Sequence, residues 1–64
     1  MTLREIEWRL KELLSTPTGK IVLSNGNFII STINTSDVIV CGIGSTLQLA
    51  IFNYDERAKK VRKP

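Results

Sequence analysis

The side chains that most often perform acid–base or metal chemistry are scarce in this sequence. Histidine is absent and cysteine occurs once, at position 41, so the usual zinc ligand sets and an intramolecular disulfide are both excluded. Cys41 lies in the apolar run 38–41 without a basic neighbour in sequence, which predicts a buried structural thiol. No two carboxylates form a convincing pair for acid–base catalysis. We therefore expect a protein that is not an enzyme and that holds no metal or cofactor.

Gly42 and Gly44 stand two residues apart, as in loops that bind phosphate groups. A dinucleotide-binding motif needs a third glycine and a P-loop needs a following lysine, and this sequence has neither at the required position. The glycine pair instead predicts a bend or bulge in a strand.

Charged residues are concentrated at the two ends of the chain. Nine cationic and six acidic residues give a net charge of +3, and residues 55–63 account for all of it. Five cations follow one another without an acid: Arg57, Lys59, Lys60, Arg62 and Lys63. Such a run is able to contact nucleic-acid phosphates, but it also suits a solvated terminus, which we favour. We divide the chain into a single domain, 1–56, and a basic tail, 57–64.

The first 15 residues predict an amphipathic helix. Thr2 and Glu5 match the capping-box pattern, and Pro17 disfavours helical geometry before it, so we expect the helix to end near Ser15. The apolar residues follow helical spacing: Leu3, Ile6, Leu10, Leu13 and Leu14. Trp8 falls on the opposite side of the helix. It is either an aromatic anchor for a partner or another subunit, or a surface tryptophan packed on neighbouring cationic side chains.

Two apolar runs around an Asn-Gly pair predict a β-hairpin. Asn25-Gly26 is the strongest short-range hairpin signal, because a type I′ turn needs positive φ at both central residues. A two-residue loop places Leu23 opposite Phe28 and thereby sets the register of both strands. The second strand is expected to continue to Ile33.

The chain after the hairpin predicts a turn, a third strand and an ambiguous segment. Residues 34–37 favour a turn because their side chains bond to their own backbone, and residues 38–41 favour a strand. Residues 46–56 fit either a strand, by alternation, or a helix, by the spacing of apolar residues at 47, 51, 54, 58 and 61. We favour a strand to about Asn53, followed by a short helical or disordered segment.

Alternation along the strands makes both faces of the sheet apolar. One helix of about 13 residues is roughly 20 Å long, which is enough to cover only one of them. The predicted fold is therefore α+β: one N-terminal amphipathic helix on a small antiparallel sheet of three to five strands, open or curled into a barrel, with a basic C-terminal tail. We assign six residues to a partner or subunit interface: Trp8, Val22, Ile29, Ile33, Ile39 and Ile43.

The order of these elements resembles Sm-like RNA-binding rings, whose subunits begin with a short helix followed by short antiparallel strands. The run IVLSNG at 21–26 is similar to the first strand and Asn-Gly turn of that family. The glycine that the family carries in its second strand is replaced by Ile or Ser here. The resemblance implies a chain that closes a barrel by joining neighbouring subunits.

The sequence thus predicts a small non-catalytic binding or regulatory protein that acts as a homo-oligomer through an apolar sheet face. The alternative is a nucleic-acid-binding module that uses the five C-terminal cations, and a third interpretation is an accessory inhibitor of a partner protein. A lone thiol, with no signal peptide and no apolar run of transmembrane length, predicts a cytoplasmic protein that does not enter a membrane.

Overall fold

The computed structural model describes residues 2–33 and 36–62, which form two α-helices and a three-stranded antiparallel sheet. In chain order the elements are α1 (Leu3–Ser15), β1 (Lys20–Ser24), β2 (Asn27–Ile33), β3 (Ile39–Gly44) and α2 (Leu47–Arg62). The strands are neighbours in the order β1-β2-β3. The α+β class, the N-terminal helix and the antiparallel sheet are as predicted. The barrel is not formed, because the segment expected to supply a fourth strand is helical and three strands leave the sheet open.

α1 begins at the predicted capping box and ends at the predicted residue. Thr2 Oγ1 accepts a hydrogen bond from the Glu5 backbone N–H at 3.2 Å, and Glu5 Oε1 accepts one from the Thr2 backbone N–H at 3.2 Å. The hydrogen bonds from the Thr2 backbone and hydroxyl hold the pKa of Glu5 below its ordinary value. At the C-terminal end, Thr16 Oγ1 donates to the Leu13 carbonyl at 2.8 Å, one residue before Pro17.

β1 and β2 form the predicted hairpin in the predicted register. Leu23 pairs with Phe28, and antiparallel pairing continues along both strands. Asn25 and Gly26 have φ values of 51° and 77°, which lie in the left-handed region that a type I′ turn requires. The first two residues of the predicted turn at 34–37 lie outside the described residues.

β3 pairs with β2 along its whole length, including the two glycines that were expected to bend it. Gly42 lies opposite Ile30 and Gly44 opposite Phe28 in an uninterrupted antiparallel ladder. The predicted bulge is therefore wrong, because a bulge would interrupt this pairing. Both glycines lie on the face of the sheet that α2 covers, and their role is to let α2 pack closely on β3.

Residues 47–62 form a helix, so the strand favoured for residues 46–53 is wrong. Thr46 caps this helix: its Oγ1 accepts from the Leu49 backbone N–H at 3.2 Å, and its carbonyl accepts from the Ala50 backbone N–H at 3.0 Å. The helical alternative is therefore confirmed: the apolar residues spaced by four and three lie on the side of α2 that is buried or partly buried. α2 continues through residues 57–62, so four of the five cations expected in a tail lie at its C-terminal end, and Lys63 lies outside the described residues. The division of the chain at residue 57 stays a prediction.

α2 approaches the sheet closely because the β3 residues that face it are glycines, which have no Cβ atom. A Cβ atom at Gly42 would lie 2.5 Å from the Ala50 carbonyl oxygen, and one at Gly44 would lie 2.5 Å from the Ala50 backbone nitrogen. No side chain fits between these backbones. Ile30, Ala50 and Ile51 are fully buried at this contact and form the centre of the core.

α1 packs beside α2 and against β1, so it covers only part of the sheet face that it was predicted to cover. Only Leu13 of its apolar stripe is buried, whereas Leu3 and Leu14 are exposed. An ion pair between Arg9 and Asp55 joins α1 to α2. α2, a segment that was not expected to be helical along its whole length, covers the larger part of this face.

Candidate functional site

The face of the sheet that points away from both helices is apolar and exposed. Residues opposite one another share a face, and alternation along each strand places five aliphatic side chains on this one. We call it the open face, and its aliphatic members are Val22, Ile29, Ile33, Ile39 and Ile43. Ile39 is 68% exposed, and Val22, Ile33 and Ile43 are between 45% and 51% exposed. The structure therefore brings together all five strand residues that the sequence assigned to an interface.

The aliphatic residues of the open face form two groups. Val22, Ile29 and Ile43 lie side by side in one row that crosses all three strands. Ile33 pairs with Ile39 near the other end of β2. Side chains directly opposite one another in antiparallel strands are in contact, so each group presents a continuous apolar surface.

A more polar row separates the two groups. Lys20, Ser31 and Cys41 are paired across the strands, and Lys20 is the single charged side chain that β1, β2 and β3 place on the open face. The Cys41 thiol is half-buried there, not fully buried as predicted, because its position in β3 points it away from the helices. A face with so few charges loses little hydration energy when another apolar surface covers it.

Trp8 lies in the helical layer, on the other side of the sheet from the open face. Its side chain is 53% exposed and lines a shallow cleft of about 220 Å³ together with Glu5, Arg9, Glu12 and Asp55. The structure therefore does not bring Trp8 together with the five strand residues. A single flat interface cannot contain all six predicted residues.

The C-terminal cations whose side chains the structure describes lie on two sides of α2. Lys59 pairs with a glutamate of the preceding helical turn at 3.2 Å and lines a cleft next to α1. Arg57 and Lys60 line a separate groove next to β3. Arg62 is the last residue of α2, and Lys63 lies outside the described residues. Of the cations whose side chains the structure describes, Lys59 thus lies on one side of α2, and Arg57 and Lys60 lie on another.

The groove next to β3 was missed by sequence reasoning because it exists only when residues 47–62 are helical. It has a volume of about 330 Å³, and Asn53, Arg57 and Lys60 line its α2 side. Asn53 Nδ2 donates a hydrogen bond to the Ile43 carbonyl at 2.6 Å. The spacing of residues 53, 57 and 60 is the sequence signal that would have placed these three polar side chains on one side of a helix.

Neither a protein-family model, nor a curated protein, nor a solved structure matches this chain. Within residues 2–33 and 36–62, no helix has the length and apolar character needed to span a bilayer. The same residues contain no group of three His, Cys, Asp or Glu side chains placed to hold a metal ion.

Proposed function

We propose that this protein is a non-catalytic binding protein that acts as a homo-oligomer, in which the open face of one subunit packs on the open face of another. One observation supports it above all: five aliphatic side chains lie on a face that neither helix covers. Single exposed apolar residues are common on soluble proteins, whereas contiguous apolar patches usually mark an interaction site. A chain of 64 residues also gains from association, because so small a core contributes little net stability.

The composition of the open face favours a second copy of the chain as its occupant. Lys20 lies at one end of β1, so two faces related by a two-fold axis can stack without like charges at their centre. Sheets stacked in this way lie about 10 Å apart and interdigitate their side chains. The helices form the two outer layers of this dimer, and Trp8 stays outside the interface.

The size of the open face sets the expected strength of association. Three strands about 4.8 Å apart, each about six residues long at roughly 3.3 Å per residue, form a face of about 15 Å by 20 Å. Such a face has a flat area of about 300 Å² per subunit, which is less than the roughly 800 Å² per partner that a standard stable interface buries. We therefore expect a micromolar dissociation constant and an equilibrium that dilution shifts towards monomer.

Sedimentation equilibrium over about 1 to 300 µM protein tests the proposal. Val22→Lys buries an unpaired charge in the stacked interface and is expected to weaken association by about 30-fold or more. Leu14→Lys is the matched control, because Leu14 is an equally apolar side chain, 57% exposed, on α1. The control is expected to associate like the wild type, and circular dichroism establishes that both variants are folded.

A wild-type protein that sediments as a 7.2 kDa monomer over the whole range, and unfolds cooperatively, would contradict the proposal. Equal loss of association in Val22→Lys and Leu14→Lys would also contradict it, since the contact would then not be specific to the open face.

A further inference from the structure

The outer edge of β3 has no strand beside it among the described residues. The Ile43 carbonyl points to this edge, because it accepts the hydrogen bond from Asn53 Nδ2. Main-chain groups of alternate residues point the same way in an antiparallel ladder, so those of Ile39 and Cys41 also face the edge. Asn53 therefore closes the edge at Ile43 and leaves the stretch from Ile39 to Cys41 open.

The groove of about 330 Å³ runs along this edge, between β3 and α2. α2 is antiparallel to β3 and passes from Gly44 towards Gly42, and Arg57 and Lys60 line the groove together with Cys41, at one end of the open stretch. Neither cation forms an ion pair with a described residue, and the one acid that lines the groove is paired within α2. Within the part of the chain that the structure describes, the groove thus has main-chain groups without a hydrogen-bond partner on one wall and cations without an ion pair on the other.

We propose that this groove binds an extended acidic peptide segment, which adds to β3 as a fourth strand. Main-chain hydrogen bonds to Ile39 and Cys41 align the segment, and its carboxylates on the α2 side pair with Arg57 and Lys60. Alternate side chains of a strand point to opposite faces, so the remaining side chains of the segment extend the open face. The sequence pattern that fits is therefore an alternation of acidic and apolar residues.

A second copy of this chain fits the edge less well than an acidic segment does. Two-fold pairing of two β3 edges places both α2 helices on the same side of the joined sheet, where Arg57 and Lys60 of each copy face like charges. The chain also has no acidic extended segment to donate. Of its six acids, five lie in α1 or α2 and only Asp37 lies elsewhere.

Fluorescence anisotropy with the full chain tests the inference. The probe is a labelled eight-residue peptide of alternating Glu and Val, and its matched control alternates Lys and Val. Arg57→Glu/Lys60→Glu is expected to weaken binding of the Glu–Val peptide by about tenfold or more. Arg4→Glu/Lys11→Glu changes the net charge equally on α1, which does not line the groove, and is expected to change binding less than about twofold.

Backbone methylation of the probe separates strand addition from charge attraction alone. Alternate N–H groups of an added strand bond to the edge and the others face solvent. We expect N-methylation of the N–H groups that bond to the edge to abolish binding. N-methylation of the N–H groups that face solvent is expected to leave binding intact. Equal effects of the two sets, equal binding of the Lys–Val peptide, or equal losses in the two double variants would each overturn the inference.

Two further titrations exclude other occupants. A single-stranded oligonucleotide that binds more tightly than the peptide, with a steep dependence on salt, would overturn the inference in favour of a phosphate backbone. Val22→Lys, on the opposite edge strand, separates the inference from homo-oligomerisation. Peptide binding retained in this variant supports a groove that belongs to one subunit, whereas loss of binding by the folded variant would contradict it.

Discussion

Replacement of Gly42 by alanine tests the contact that holds α2 on the sheet. The added Cβ would lie 2.5 Å from the Ala50 carbonyl oxygen and 2.6 Å from the Tyr54 Cα, far inside the roughly 3.5–4.0 Å of normal atomic contact. Both atoms belong to the helix backbone, so no rotamer change relieves the overlap and α2 itself must move. Overpacking typically costs about 1–3 kcal/mol, and we expect the upper end, about 3 kcal/mol, because the neighbour cannot rearrange.

A loss of this size is a large fraction of the stability of so small a chain. At about 0.05–0.15 kcal/mol per residue, 64 residues correspond to roughly 3–10 kcal/mol of unfolding free energy. Urea denaturation at one fixed protein concentration, followed by far-ultraviolet circular dichroism and by the fluorescence of the single tryptophan, measures the change. The midpoint of Gly42→Ala is expected to fall well below that of the wild type.

Gly26→Ala is the control, because it perturbs the backbone without any contact. Gly26 has a φ of 77° and no atom within 4 Å of an added Cβ, so its replacement costs only the left-handed strain, about 1 kcal/mol. If Gly42→Ala proves no more destabilising than Gly26→Ala, α2 does not pack on the glycines of β3 and our account of the core is wrong.

Three further predictions concern α1 and the core. Leu13→Ala is expected to lower the unfolding free energy by about 2–5 kcal/mol and Trp8→Ala by no more than about 0.5 kcal/mol, because only Leu13 is buried. Circular dichroism melts measure both losses of stability. Equal losses would place Trp8 in the core. Tyr54→Phe removes the hydroxyl that lies 2.6 Å from Thr32 Oγ1 and is expected to cost about 1–3 kcal/mol, whereas adding Thr32→Val is expected to recover part of that loss in a double-mutant cycle. The pKa of Glu5 is lowered, so its ionised form stabilises α1 above pH 4.5, and this contribution disappears as the pH falls through the lowered value. Glu5→Gln should remove that part of the acid dependence of the melting temperature. An unchanged acid dependence in Glu5→Gln would refute this prediction.

The open face was predictable residue by residue, and the residues that the sequence assigned to an interface are the ones that lie on it. An Asn-Gly turn sets the register of β1 against β2, and alternation then assigns each side chain to a face. These two rules, applied to the residue order alone, place Val22, Ile29 and Ile33 on one face, and the described strands agree. Which helix covers the opposite face depends on contacts between residues far apart in sequence, so the pattern alone could not assign that role to α2.

The sequence by itself determined the elements whose signals act within a few residues. The capping box at Thr2 and Glu5 starts α1, and the positive φ values of Asn25 and Gly26 close the hairpin. Each of these features is satisfied by hydrogen bonds and backbone preferences inside one turn of chain, so tertiary contacts do not need to specify them.

Only the tertiary structure decided the state of residues 47–62. Alternation and helical spacing coincide over this run, so local periodicity favoured neither conformation strongly. The helix forms because Gly42 and Gly44 leave room for its backbone against β3, where Ala50 and Ile51 become fully buried. Two backbones can approach this closely only where β3 carries no side chain. This one long-range contact covers one face of the sheet, leaves the opposite face open and creates the cationic groove beside β3.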